Sequence, residues 1–251
     1  MTAPPVWVAE LAGRFWATAG EPPPFPRDLE RAITDVVPLS VLARRDLMSS
    51  SVAEFVRGLS LPVAAVGPDR PLRAALYCWK GSGFLFLDAA DPPDERRFSL
   101  AHELAHFLRD YDTFRRRVAK ALGRDGLAVL DGQRRATTDE RLHAALRGVT
   151  LTPNVHLMSR DPLGRPRGDA ERDAEDRADR LAFELLAPVE LLRTESDGHA
   201  VAERLRAEFG LPLLDALHYS SILFPHDNFP TTSVGRLINS VKMSSNTSRE
   251  D

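Results

Sequence analysis

Phe98-Ser99-Leu100-Ala101-His102-Glu103-Leu104-Ala105-His106-Phe107-Leu108-Arg109 carries two histidines four positions apart, with a glutamate directly after the first. On an α-helix, residues i and i+4 lie one above the other on one face. Two imidazole nitrogens can then reach a single metal ion from a rigid support. Glu103 projects beside them, placed to take a proton from a water that the metal activates. This H-E-x-x-H spacing points to metal-assisted hydrolysis, with His102 and His106 as metal ligands and Glu103 as the catalytic base. The context is helical. No Gly or Pro interrupts the chain from Asp94 up to Gly123, and Asp94 follows Pro92-Pro93 as a candidate N-cap. Phe98, Ala101, Leu104, Ala105 and Leu108 mark a buried stripe, with the two histidines at its border. The bland alternative is a core helix with two hydrogen-bonded histidines.

A catalytic zinc site usually takes three protein ligands and leaves one position for water. The segment of comparable character is Glu175-Asp176-Arg177-Ala178-Asp179-Arg180-Leu181-Ala182-Phe183-Glu184-Leu185-Leu186-Ala187-Pro188. It reads as a second helix with an acidic first turn and a stop at Pro188, and it places Ala178, Leu181, Ala182, Leu185 and Leu186 on one face. Glu175 and Asp179 are again i and i+4. That spacing suits Glu175 as the third ligand and Asp179 as acceptor for the far nitrogen of a ligand histidine, which fixes the ring's tautomer. The competing reading is two carboxylates on a solvated helix start.

These two blocks resemble the ImmA/IrrE family of metallo-endopeptidases. Members typically carry Arg-Phe-(Ser/Thr)-Leu-Ala-His-Glu-(Leu/Ile)-(Gly/Ala/Ser)-His, and Arg97 to His106 fit it throughout. A second family block, Glu-x-x-Ala-Asn-x-Phe-Ala-x-x-Leu-Leu-x-Pro, is matched in register by Glu175, Ala178, Asp179, Leu181, Ala182, Leu185, Leu186 and Pro188. Asp179 stands for the usual Asn and Leu181 for the usual Phe. Gly83 to Asp88 is similar to the strand that precedes the family's metal helix. The resemblance implies a gluzincin-like Zn²⁺ endopeptidase whose substrate is a protein, a DNA-binding repressor or another regulator, cut to release the genes it silences. A different class, a non-proteolytic regulatory or interaction protein that keeps the metal site as a structural element, is the alternative.

His106 and Glu175 are 69 positions apart, about twice the usual family spacing, so residues 110–170 read as an insertion. It holds a basic helical run (Phe114 to Leu122), a second helical candidate (Asp139 to Arg147) and a Gly/Pro/Arg/Asp loop from Ser159 to Asp169. Before the metal helix, Leu61 to Val66 reads as a strand. Leu72 to Trp79 and Phe84 to Leu87 read as a hairpin over Lys80 to Gly83. Residues 1–60 read as a helical N-terminal region, with helices over Trp7 to Ala19, Asp28 to Val37 and Ser51 to Leu59, and no basic recognition helix. Residues 61–239 are the expected metallopeptidase domain, with helices near Gly198 to Phe209 and Leu213 to Leu223, and residues 240–251 a disordered tail. The fold expected is α+β: a mostly helical zincin-like domain with a small β-sheet beside the H-E-x-x-H helix.

The bulk numbers fit this reading. The 251 residues are 43% hydrophobic and 27% charged, enough for a sizeable core. A net charge of -3 offers no electrostatic case for nucleic-acid or membrane binding. The single cysteine, Cys78, lies in a strand-like run and suits a buried thiol in a reducing cytoplasm. No apolar run reaches the roughly 20 residues of a bilayer span, and no secretory signal reads out. Tyr111, His143, His156, His218 and Tyr219 are all eligible to stabilise an oxyanion, and spacing does not choose among them.

Overall fold

The structure is a computed structural model and is described for residues 1–20, 22–63, 68–147, 168–195 and 197–225. It is α+β and mostly helical, with one three-stranded sheet. The expected hairpin forms with a tighter loop: β2 (Ala74–Trp79) and β3 (Ser82–Asp88) are antiparallel, with Tyr77 opposite Phe84, and Ser82 and Gly83, expected in the loop, belong to β3. The link is the two-residue turn Lys80-Gly81, both at positive φ (51° and 90°), which matches the right-handed twist of the strands. Side chains alternate between two faces. Leu76, Cys78, Leu85 and Leu87 join the main core, whereas Ala75, Tyr77 and Phe86 pack with Val52 and Val56 of α3 (Ser49–Gly58). The sheet is therefore a layer between α3 and the metal-helix side, and both of its faces are covered.

The third strand is not the one expected. Leu61 to Val63 form no strand, and residues 64–66 lie outside the described part. The strand is β1 (Leu39–Arg44), parallel to the central β3 with Leu39 opposite Gly83. Residues 1–60, read as helical, thus contain a strand besides α1 (Val6–Ala19), α2 (Leu29–Val36) and α3. β1 has no clean alternation of its own, and its pairing with β3 makes it a strand. Nor is this region packed apart. Val8, Leu11, Ala12, Phe15 and Trp16, at i, i+3, i+4, i+7 and i+8 of α1, share the main core with the metal helix. Trp16 Nε1 and Arg27 Nη1 both donate to Leu185 O, near the end of α7 (Asp169–Leu186), at 3.3 and 2.7 Å.

β3 delivers the chain into the metal helix through Asp88, which is almost fully buried. Its carboxylate accepts from the backbone N–H of Asp46, Leu47 and Ala90, so the exits of β1 and β3 are tied to one anchor. Helix α4 (Pro93–His106) then starts one residue before the Asp94 cap expected from sequence. Pro93 takes the first helical position, where its missing N–H costs nothing, and Asp94 and Glu95 sit in the first turn against the positive end of the helix dipole.

Beyond His106 the backbone continues through a π-helical turn, Phe107–Asp112, into α5 (Thr113–Leu130), which breaks at Gly123 (φ 66°, ψ −156°). α6 (Thr138–Leu146) starts with a capping box in which Thr137 and Glu140 satisfy each other's backbone N–H groups. α7, α8 (Gly198–Ala207) and α9 (Leu213–Leu223) complete the main core. The loop expected from Ser159 to Asp169 falls outside the described residues up to 167, as does the tail from 240 onward. Among the described residues no helix is long and apolar enough to cross a membrane.

Candidate metal centre

α4 packs on α7, and the contact is where the two sequence blocks meet. Leu100, Ala101, Leu104 and Ala105 are buried on α4; Ala178, Leu181, Ala182, Leu185 and Leu186 are buried on α7. The small residues Ala101, Ala105, Ala178 and Ala182 let polar side chains at the border of each stripe approach one another. His102 Nε2 lies 3.3 Å from Glu175 Oε2, and His106 Nε2 lies 3.9 Å from Glu175 Oε1. The two Nε2 atoms are 3.1 Å apart. Each ring spends its other nitrogen on a carboxylate: His102 Nδ1 on Asp179 Oδ1 at 2.8 Å, and His106 Nδ1 on Asp110 Oδ2 at 2.9 Å.

With each Nδ1 bonded to a carboxylate, both Nε2 atoms face Glu175, as the metal-binding edges of the two rings. A tetrahedral cage with bonds of about 2.1 Å has donor–donor edges of about 3.4 Å. The 3.1 Å between the two Nε2 atoms, and the 3.3 and 3.9 Å from them to Glu175 Oε2 and Oε1, are of that size. His102, His106 and Glu175 could therefore hold one metal ion, and they form the one such cluster among the described residues. His106 is 1% exposed, so its ring is held by protein partners.

The electrostatics favour a cation here. Burial works against charge on His102. The hydrogen bonds to Asp179 and Glu175, with the nearby charges of Asp179 and Glu103, outweigh it and raise its pKa to about 10. Glu103, half-buried, acts electrostatically on His102 and also on Cys78 of β2. Cys78 is fully buried, and burial pushes its thiol pKa up, so it is an inert core thiol.

Residues 69–128 match the Peptidase_M78 family model, the IrrE N-terminal-like domain. That is the ImmA/IrrE group recognised from Arg97 to His106, and it is a family of metallopeptidases. The Peptidase_M78 segment carries β2, β3, α4, the π turn and most of α5. Glu175 and Asp179 lie beyond it, and the fold brings them to it. No curated protein and no solved structure matches the chain.

Around the Peptidase_M78 segment, two of the five eligible oxyanion donors are engaged elsewhere. Tyr111 is buried and its hydroxyl accepts from Gly81 N at 2.8 Å. Tyr219 stacks on Phe183 and donates to Ala187 O. His143 is exposed on α6. His218 lies beside the Phe183 ring, with 5.9 Å between ring centroids. His156 lies outside the described residues, as does His226. Asp110 is the site residue that sequence reading missed. Its signal was present: it stands four residues after His106, the spacing that links His102 to His106 and Glu175 to Asp179.

Proposed function

We propose that this chain is a zinc-dependent endopeptidase that hydrolyses a peptide bond in a regulatory protein, a DNA-binding repressor by family resemblance. The observation that carries the reading is the convergence of His102 Nε2, His106 Nε2 and Glu175 with Glu103 beside them. The Peptidase_M78 match over residues 69–128 supports it. In this reading His102, His106 and Glu175 are the ligands, and Asp179 holds the His102 ring through Nδ1.

Bound zinc would supply Lewis acidity at the open position and bring the pKa of a water held there down towards 7. Glu103 accepts a proton from the attacking water and returns it to the departing amine nitrogen. The packed α4–α7 seam keeps the ligands fixed, so little reorganisation accompanies the reaction. The presence of Glu103 directly after His102 weighs against the binding-only alternative, which has no use for a general base. The reading places the protein in the cytoplasm, where a lone buried thiol such as Cys78 needs no partner.

The test is to mix the zinc-loaded chain with candidate DNA-binding repressors from its own source, with and without chelator, and to read fragments by mass spectrometry. One discrete cut is expected, abolished by chelator and by Glu103→Gln. Cleavage that persists undiminished in Glu103→Gln would overturn the role given to Glu103.

A further inference from the structure

The helix that presents both histidines does not end at His106. It changes register at the next residue, where Phe107–Asp112 forms a π-helical turn. Such turns are rare and are frequently found at functional sites. This one is well satisfied. The Thr113 backbone N–H and the Thr113 hydroxyl both donate to Leu108 O, the hydroxyl at 2.7 Å. Its apolar side, Phe107, Leu108 and Tyr111, is buried in the main core, and Tyr111 pins the hairpin tip through Gly81 N. Its polar side carries Asp110, whose Oδ2 lies 2.9 Å from Nδ1 of His106.

We propose that Asp110 is the positioning residue for His106 and that the π turn holds it there. This rests on the reading of His106 as a metal ligand. The Nδ1–H of His106 donates to Asp110, which leaves the Nε2 lone pair free and aims it at the point shared with His102 and Glu175. The ring is 1% exposed and the Asp110 side chain 21%, so loss of Asp110 leaves Nδ1 with a water at best in place of a fixed carboxylate and lets the proton move to the nitrogen the metal needs. Each ligand histidine then has its own carboxylate: Asp179 from α7 for His102, and Asp110 from the π turn for His106.

The experiment measures the zinc dissociation constant of the wild type, Asp110→Asn, Asp110→Ala and Asp112→Asn by competition with a chromophoric chelator. Circular dichroism reports the fold. The NMR signal of the His106 Nδ1–H in the zinc-loaded protein reports the bond itself. Asp112 lies on the same turn and pairs with Arg116, so it controls for charge and helix content. Expected is a 10- to 100-fold loss for Asp110→Ala, a smaller loss for the isosteric Asp110→Asn, and Asp112→Asn within twofold of wild type. The downfield Nδ1–H signal of His106 should vanish in Asp110→Ala. Wild-type affinity in both Asp110 variants would overturn the inference and leave the metal reading standing. An equal loss in Asp112→Asn would overturn it too, because the effect would then belong to the turn's charge. A wild-type chain that takes up no zinc would overturn both readings at once.

Discussion

Replacing Asp179 by alanine removes the acceptor for the Nδ1–H of His102, 2.8 Å away, and touches no metal ligand. The ring then loses the bond that fixes its tautomer, and a proton on Nε2 competes with the metal for the same lone pair. Losing such a partner costs about 10- to 100-fold in metal affinity, or about 1.4–2.7 kcal/mol. The Asp179 side chain is 27% exposed, so water can take over part of the acceptor role. This places the expected loss in the lower half of the range, about 10- to 30-fold. Asp179→Asn keeps an oxygen in place without the charge and should lose only a few-fold, a tolerance that agrees with the Asn common at this position in the resembling family. The assay is zinc competition against a chromophoric chelator near neutral pH, with circular dichroism to show that α7 is intact. An Asp179→Ala chain that binds zinc within twofold of wild type would refute the reasoning, as would Asn weakening binding more than Ala.

Glu103→Gln should leave zinc binding unchanged and lower peptide hydrolysis by about 10²- to 10⁴-fold, read from metal content and cleavage rate on the same sample. In the metal-free chain the folded pKa of His102 is raised to about 10, above its unfolded value of about 6.5. Its contribution to stability is full below about pH 6.5 and is lost as pH rises through about 10. Thermal melts with chelator should therefore fall in Tm across this window, and zinc-loaded melts should fall less. A pH-independent gap between the two would contradict the assignment. For the same reason zinc must displace a proton from His102 at neutral pH, so apparent affinity should rise about tenfold per pH unit between pH 7 and 9. Saturating zinc at about 1,000 times its dissociation constant should stabilise the fold by about 4 kcal/mol, a rise in Tm of roughly 8–16 °C for a chain of this size. Gly83→Ala would drive a Cβ into the Tyr77 carbonyl and the Cys78 side chain. It should cost about 1–3 kcal/mol, seen as a Tm lower by several degrees.

What the sequence made legible was local. The metal helix, the β2–β3 hairpin and α7 each announce themselves through residue spacing and stop signals, and Glu175 was found because helical spacing put it beside Asp179. β1 was hidden because its identity comes from pairing Leu39–Arg44 with a strand more than forty positions away. The amphipathic pattern of α1 was readable, yet the spacing of Val8 to Trp16 does not say which core they enter. That is decided by the contacts of Trp16 and Arg27 with the end of α7. Asp110 was readable as an i+4 partner of His106. The π turn that carries it was not, since nothing in Phe107-Leu108-Arg109-Asp110-Tyr111-Asp112 departs from ordinary helical composition.

The most direct test of the central claim is the zinc stoichiometry of the wild type beside His102→Ala, His106→Ala and Glu175→Ala, measured by elemental analysis after dialysis against one fixed free-zinc level. About one zinc per wild-type chain is expected, with a large loss in each variant, Glu175→Ala included, if the α7 carboxylate completes the site with the two α4 histidines. Wild-type uptake in Glu175→Ala would contradict it.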